Sequence, residues 1–183
     1  MRFDPLPLSF SARSPRRLAR ALLGTLVVHA PPGRAPRVGR IVETEAYLGP
    51  HDLACHTAKG RTRRTEPMFG PPGHAYVYRV YGMHFCLNVV TGKGAAVLLR
   101  ALEPVSEGLA DSDGPAKLTR ALGVTLAHNT LRLDRGPLFL AAGAPVASRH
   151  VTVTSRVGVD YAGDWARAPL RFYDARSDWV SRR

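Results

Sequence analysis

The chain has 183 residues, 45% of them hydrophobic and 22% charged; this is a globular composition that excludes wholesale disorder and suffices for one domain with its own core. Of its 26 cations, 23 are Arg, and with 14 carboxylates the formal charge is +12, held mostly in residues 1–100 (15 cations, 5 carboxylates) rather than 101–183 (11 and 9). A basic surface concentrated in one half is the footprint of a phosphate-backbone binder, and a generally basic, solubilising surface is the equal alternative on composition alone.

Along the chain, residues 1–13 read as flexible. Ser14-Pro15, followed by an apolar-periodic run to Leu23-Gly24, predicts a short helix with Ser14 as N-cap, Pro15 at N1 and Gly24 as the C′ stop. Leu18 and Leu22 share one face. Arg13, Arg16, Arg17 and Arg20 crowd the first turns, where cations oppose the helix dipole. A solvated face accounts for them; phosphate contact accounts for why the cost is tolerated. Residues 25–29 and 38–47 predict strands around a Pro/Gly-rich connection. Residues 49–74 are irregular and basic, with Arg61, Arg63 and Arg64 close together. Residues 75–80 and 84–90 predict a strand pair around Tyr81-Gly82-Met83, and 95–102 a buried strand. Residues 104–115 form an acidic loop and 116–122 a helix stopped by Gly123. Short strands and turns then run to the end, around Val151-Thr152-Val153 and Leu170-Arg171-Phe172-Tyr173. Strands outweigh helices and neighbour one another. The expectation is a single α+β domain over residues 1–183: a curved, largely antiparallel sheet, flanking short helices and a protruding β-hairpin.

Common enzyme signatures are missing: no GxxxxGK[ST] loop, no GxGxxG opening a helix, no GxSxG elbow and no HExxH. Cys55 and Cys86 have no zinc or disulfide spacing, so no metal or other cofactor is expected. No apolar run approaches the ~20 residues of a membrane helix and the start has no signal region, so a soluble, cytoplasmic protein without membrane contact is expected. What remains is a pair of carboxylates inside a strand. Alternation puts Glu43 and Glu45 on one face with Ile41 and Tyr47, a costly placement unless the charges are paired or functional; a cross-strand ion pair is the plain explanation. The second feature is aromatic. Tyr76 and Tyr78 share a face and Tyr81 lies on the other, at a turn where its own hairpin offers little to pack against. Either it packs on the core, or it is a wedge that enters a base stack while Arg side chains hold phosphates. His56 alone reads more readily as a structural histidine than as a catalyst.

The segments Leu18-Ala19-Arg20-Ala21-Leu22-Leu23-Gly24, Gly39 to Pro50, Tyr76-Val77-Tyr78, Tyr81-Gly82-Met83, Phe85-Cys86-Leu87-Asn88, Val97 to Pro104, Gly114 to Leu118, Arg156-Val157-Gly158-Val159, Trp165-Ala166-Arg167 and Pro169 to Tyr173 closely resemble the alkyladenine (3-methyladenine) DNA glycosylase family. The likeness runs in order from Leu18 to Val180. It implies an enzyme of base-excision repair that flips an alkylated purine out of double-stranded DNA and hydrolyses its N-glycosidic bond, leaving an abasic site. The implied substrates are 3-methyladenine and 7-methylguanine, with hypoxanthine and ethenoadenine as further candidates. Glu45 would deprotonate the attacking water and Arg100 would help hold it. Tyr47 and Tyr78 would stack on the flipped base, His56 would close the pocket, and Asn88 would screen against the amino group of normal guanine. Tyr81 would intercalate, with Met83 beside it. Arg61, Arg63, Arg64 and Lys117 would contact the DNA backbone. No lysine lies in the matched pocket blocks, so a monofunctional hydrolase without lyase activity is expected, acting as a monomer. A non-catalytic nucleic-acid-binding module on the same fold is the alternative. The sequence departs from the family in a short 104–114 segment, in detail between Lys59 and Pro67, and in lacking the long N-terminal extension of some members.

Overall fold

The computed structural model describes residues 3–183. Its strands, in chain order, are β1 (Leu26–His29), β2 (Arg37–Tyr47), β3 (Ala75–Val80), β4 (His84–Gly92), β5 (Ala95–Pro104), β6 (Leu138–Ala141), β7 (Val151–Ser155) and β8 (Pro169–Asp174). They form one antiparallel sheet in the order β3-β4-β5-β2-β1-β6, with β8 joining β2 and β7 joining β8. Helices α1 (Leu8–Ser11), α2 (Pro15–Leu22) and α3 (Pro115–Leu122) flank it. The expected α+β class and curled antiparallel sheet are what form.

β2 organises the sheet. One edge pairs with β5 along most of its length; the other is divided, Arg37–Arg40 pairing with β1 and Glu43–Glu45 with β8. The sheet therefore forks after Ile41, and the Glu43–Glu45 stretch lies between two partners with no exposed surface. Ile41 joins the main apolar cluster with Leu18, Leu22, Leu99 and Leu102, ahead of a pairing irregularity at Ile41–Thr44.

α2 forms where its pattern predicts. Leu18, Ala19 and Leu22 are buried against β2 and β5, and Gly24 follows the helix at φ +88°, a left-handed backbone that glycine adopts without a Cβ penalty. Ser14 is the N-cap by backbone but its side chain makes no capping bond. α3 begins one residue earlier than expected, at Pro115, and ends at left-handed Gly123. β6 has no counterpart in the sequence reading, because Leu138–Ala141 is too short to display a period. It pairs with β1, and its far side accounts for a second difference. The amide of Leu6 donates to Leu140 O (2.9 Å) and that of Ala142 to Asp4 O (2.9 Å), so residues 4–6, read as part of a flexible 1–13, are tied to the sheet edge. Residues 1 and 2 of that segment lie outside the described residues. No helix is long and apolar enough to cross a membrane among the described residues.

Candidate active site

β2 and β5 bring the charged floor of the site together. Glu43 and Glu45 both turn toward Arg100 on β5, as alternation predicts, but they are served differently. Glu43 accepts from Arg100 Nε (3.1 Å), Arg171 Nη1 (2.8 Å) and the Ser181 amide (2.7 Å). Two guanidiniums and a backbone donor make it the cross-strand ion pair that the plain explanation calls for. Glu45 accepts from the Tyr47 hydroxyl (2.8 Å) and the Val157 amide (2.8 Å) and has Arg100 Nη1 at 3.3 Å, a cation it shares with Glu43. Burial raises the Glu45 pKa; Arg100, the Val157 amide and Tyr47 pull it back without cancelling the rise, and Glu43 adds to it. Tyr47, Val157 and Arg100 all line a cavity of about 310 Å³, and Glu45 lies directly behind them.

The walls of this cavity are aromatic. Tyr78 faces it from β3, paired across the hairpin with Cys86. The His56 ring meets Tyr78 edge-on (4.5 Å between centroids), and Tyr76 lies 5.2 Å from Tyr78. The Tyr76 hydroxyl is 3.0 Å from His56 Nδ1. Burial, and then the charges of Arg64 and Lys59, push the His56 pKa down to about 4, so the ring is neutral at physiological pH. Asn88 lines the same cavity, its Nδ2 donating to Tyr76 O (3.0 Å). An exposed Tyr161 forms the opposite lip, its hydroxyl donating to Ala54 O (3.3 Å).

Behind Tyr47 is a feature that sequence reasoning missed. Arg156 makes a bidentate pair with Asp52 (2.6 and 2.8 Å), and both side chains are fully buried. Asp52 also accepts from the Leu48 and Ala54 amides, and Arg156 donates to Ala46 O and Trp165 O. The guanidinium stands 4.8 Å from the centre of the Tyr47 ring. One buried pair thus backs an aromatic wall and, through the next residue's amide, holds Glu45. No local pattern marks either charge, and their separation along the chain hides the pairing. Tyr76 was likewise overlooked as the residue that holds both His56 and Asn88.

The hairpin tip is the opposite extreme. Tyr81 is 90% exposed and Met83 72% exposed. Tyr81 (φ +50°) and Gly82 (φ +73°) both adopt left-handed backbone, as a tight turn on a right-twisted hairpin requires. Tyr81 reaches the rim of the cavity. The four cations expected to touch a nucleic-acid backbone are engaged differently. Arg61 pairs with Glu66 (2.7 Å) over the Phe69 ring, and Lys117 lies between Asp111 and Asp113, 3.0 Å from each. Arg63 is exposed. Arg64 folds back over the Tyr78 ring (5.4 Å), donates to Arg79 O (3.3 Å) and lines the cavity mouth.

A family described as methylpurine-DNA glycosylase matches residues 9–178. A Myxococcus xanthus protein provisionally named a 3-methyladenine DNA glycosylase is 56% identical, over 97% of this chain and 93% of its own. Proteins of the same provisional name from Anaeromyxobacter dehalogenans and Legionella pneumophila are 49% and 44% identical over 97% of this chain, covering 85% and 98% of theirs.

Proposed function

Since the chain belongs to the methylpurine-DNA glycosylase family, we propose that it is a monofunctional DNA glycosylase that flips an alkylated purine into the aromatic cavity and hydrolyses its N-glycosidic bond with a water activated by Glu45. The observation that carries this reading is the pairing of a desolvated carboxylate with an aromatic-walled cavity of about 310 Å³ next to it. Departure of the base leaves positive charge on the sugar. A buried carboxylate there takes a proton from water and stabilises that charge, and its raised pKa makes it a stronger base. Arg100 pulls the Glu45 pKa back toward its ordinary value and steadies the attacking water.

Tyr47 and Tyr78 stack on the extruded base, and a cationic alkylpurine gains ~0.5–2 kcal/mol per aromatic face depending on desolvation. Neutral His56 closes the pocket without adding charge against such a base. Asn88 excludes normal guanine by clash with its exocyclic amine. Tyr81, with Met83 beside it, fills the gap left in the duplex. Arg61, Arg63, Arg64 and Lys117 meet phosphates; for Arg61 and Lys117 this means exchanging a surface carboxylate for a phosphate, an exchange that surface ion pairs of ~0–1 kcal/mol permit. 3-Methyladenine and 7-methylguanine are the leading substrates, with hypoxanthine and ethenoadenine following.

The test is excision from duplex oligonucleotides carrying one defined lesion, read by alkaline cleavage at the abasic site. Excision that vanishes in Glu45→Gln while lesion binding persists supports the mechanism. A folded protein that binds DNA and excises none of these lesions would be a binding module instead.

A further inference from the structure

One feature singled out by the sequence has no part in the cavity: the arginines of α2. Arg16, Arg17 and Arg20 are exposed, and no ion pair among the described residues engages them. At 3.6 residues per turn they fall within an arc of about 100°, opposite the buried Leu18, Ala19 and Leu22. Arg13, just before the helix, is also exposed. The first turn carries no acidic residue. Like charges at i,i+4 and cations in the first turn, at the positive end of the helix dipole, are both unfavourable, and only Arg20, in the last turn, is placed where the dipole favours a cation.

The cluster faces away from the cavity. The Thr44 side chain donates to Ala19 O (2.9 Å), so it points at α2; Glu45, the next residue on β2, points to the other face of the sheet and bonds the cavity wall. A duplex seated on Tyr81 and the cavity mouth lies on that second face. We propose that the α2 arginines form a second DNA-binding face, on the back of the sheet, that holds the phosphates of another duplex segment while the cavity face is occupied.

Two observations choose the partner. The exposed groups are guanidiniums only, whose planar forks suit phosphate oxygens. The apolar face of α2 is fully buried in the core, which removes the side that an interfacial helix inserts into lipid. The choice of DNA as polyanion rests on membership of a DNA-acting family and not on the excision mechanism.

The experiment is a two-duplex capture. One lesion-free duplex is immobilised, the protein is bound, and a second, fluorescent lesion-free duplex is added. Parent protein is expected to retain the second duplex at low salt. If three phosphates are neutralised, log K for this step falls against log[salt] with a slope near −2.7, about 40-fold weaker from 50 to 200 mM. The triple variant Arg16→Gln, Arg17→Gln, Arg20→Gln is expected to lose at least about 10-fold in capture, with unchanged single-turnover excision on a short duplex and a melting temperature no lower than the parent's. Failure of the parent to capture, or undiminished capture by the variant, overturns the proposal. So does α2-dependent binding to anionic phosphatidylglycerol vesicles without duplex capture. Because both capture duplexes lack a lesion, absence of excision would defeat the glycosylase mechanism and leave this result readable.

Discussion

At the cavity floor, Glu45 has no exposed surface and both of its oxygens are bonded; at the hairpin tip, Tyr81 is 90% exposed on a backbone with φ +50°. The floor is held by charges removed from water and balanced by one another, Arg100 lying between Glu43 and Glu45. The tip is held by its hairpin alone, and its side chain contributes nothing to the core. The difference teaches that a side chain can be indispensable to the proposed reaction for opposite physical reasons, desolvation at the floor and exposure at the tip. Substitutions at the two places, and at the buried pair behind the floor, should separate excision from stability to different degrees.

The largest effect is expected from Glu45→Gln. Loss of the proposed general base should slow single-turnover excision by about 10²–10⁴-fold. The stability sign runs the other way. Because folding raises the Glu45 pKa, the ionised carboxylate costs stability above that pKa, and an uncharged amide does not bear the cost. The melting temperature at pH 7 should stay level or rise. A strongly destabilised variant would make Glu45 a structural residue like Glu43.

Arg156→Met tests whether the buried pair behind the wall is part of the floor. Asp52 would remain buried with its charge unpaired, costing about 3–5 kcal/mol. Denaturant unfolding should show that loss, and excision should fall with it because Tyr47 and the Val157 amide both lose their support. Double replacement with Asp52→Leu should recover much of the stability.

Tyr81→Ser sharpens the contrast from the other side. The change in unfolding free energy should stay within about 0.5 kcal/mol, as for other exposed positions. Excision from duplex should drop, and the same lesion in an unpaired bulge should suffer less. A large fall in melting temperature would place the ring in the core after all.

The smallest effect concerns His56. Its folded pKa of about 4 lies below the ordinary 6.5, so the folded state resists a proton that the unfolded chain accepts. Stability is complete above pH 6.5 and declines as pH falls toward 4. His56→Gln should flatten that part of the profile in a melting series from pH 7 to pH 4.

Much of this site was legible locally. Period-2 alternation paired Tyr76 with Tyr78 and Glu43 with Glu45, Gly24 and Gly123 ended their helices, and Tyr81-Gly82 marked a turn, because each depends on neighbours a few residues away. The family resemblance, carried by long blocks in one order, named Glu45 rather than Glu43, which alternation alone cannot separate. Only the tertiary structure decided why they differ: β8 and the chain end bring Arg171 and the Ser181 amide to Glu43, whereas Glu45 receives a tyrosine hydroxyl and one amide beside a cavity. It also decided that Asp52 meets Arg156, that Arg64 folds over Tyr78, that residues 4–6 run along β6, and that the α2 arginines face away from the cavity. Burial and charge pairing depend on which distant strands come to lie together, and a desolvated carboxylate and a solvated one are the same letter in a sequence.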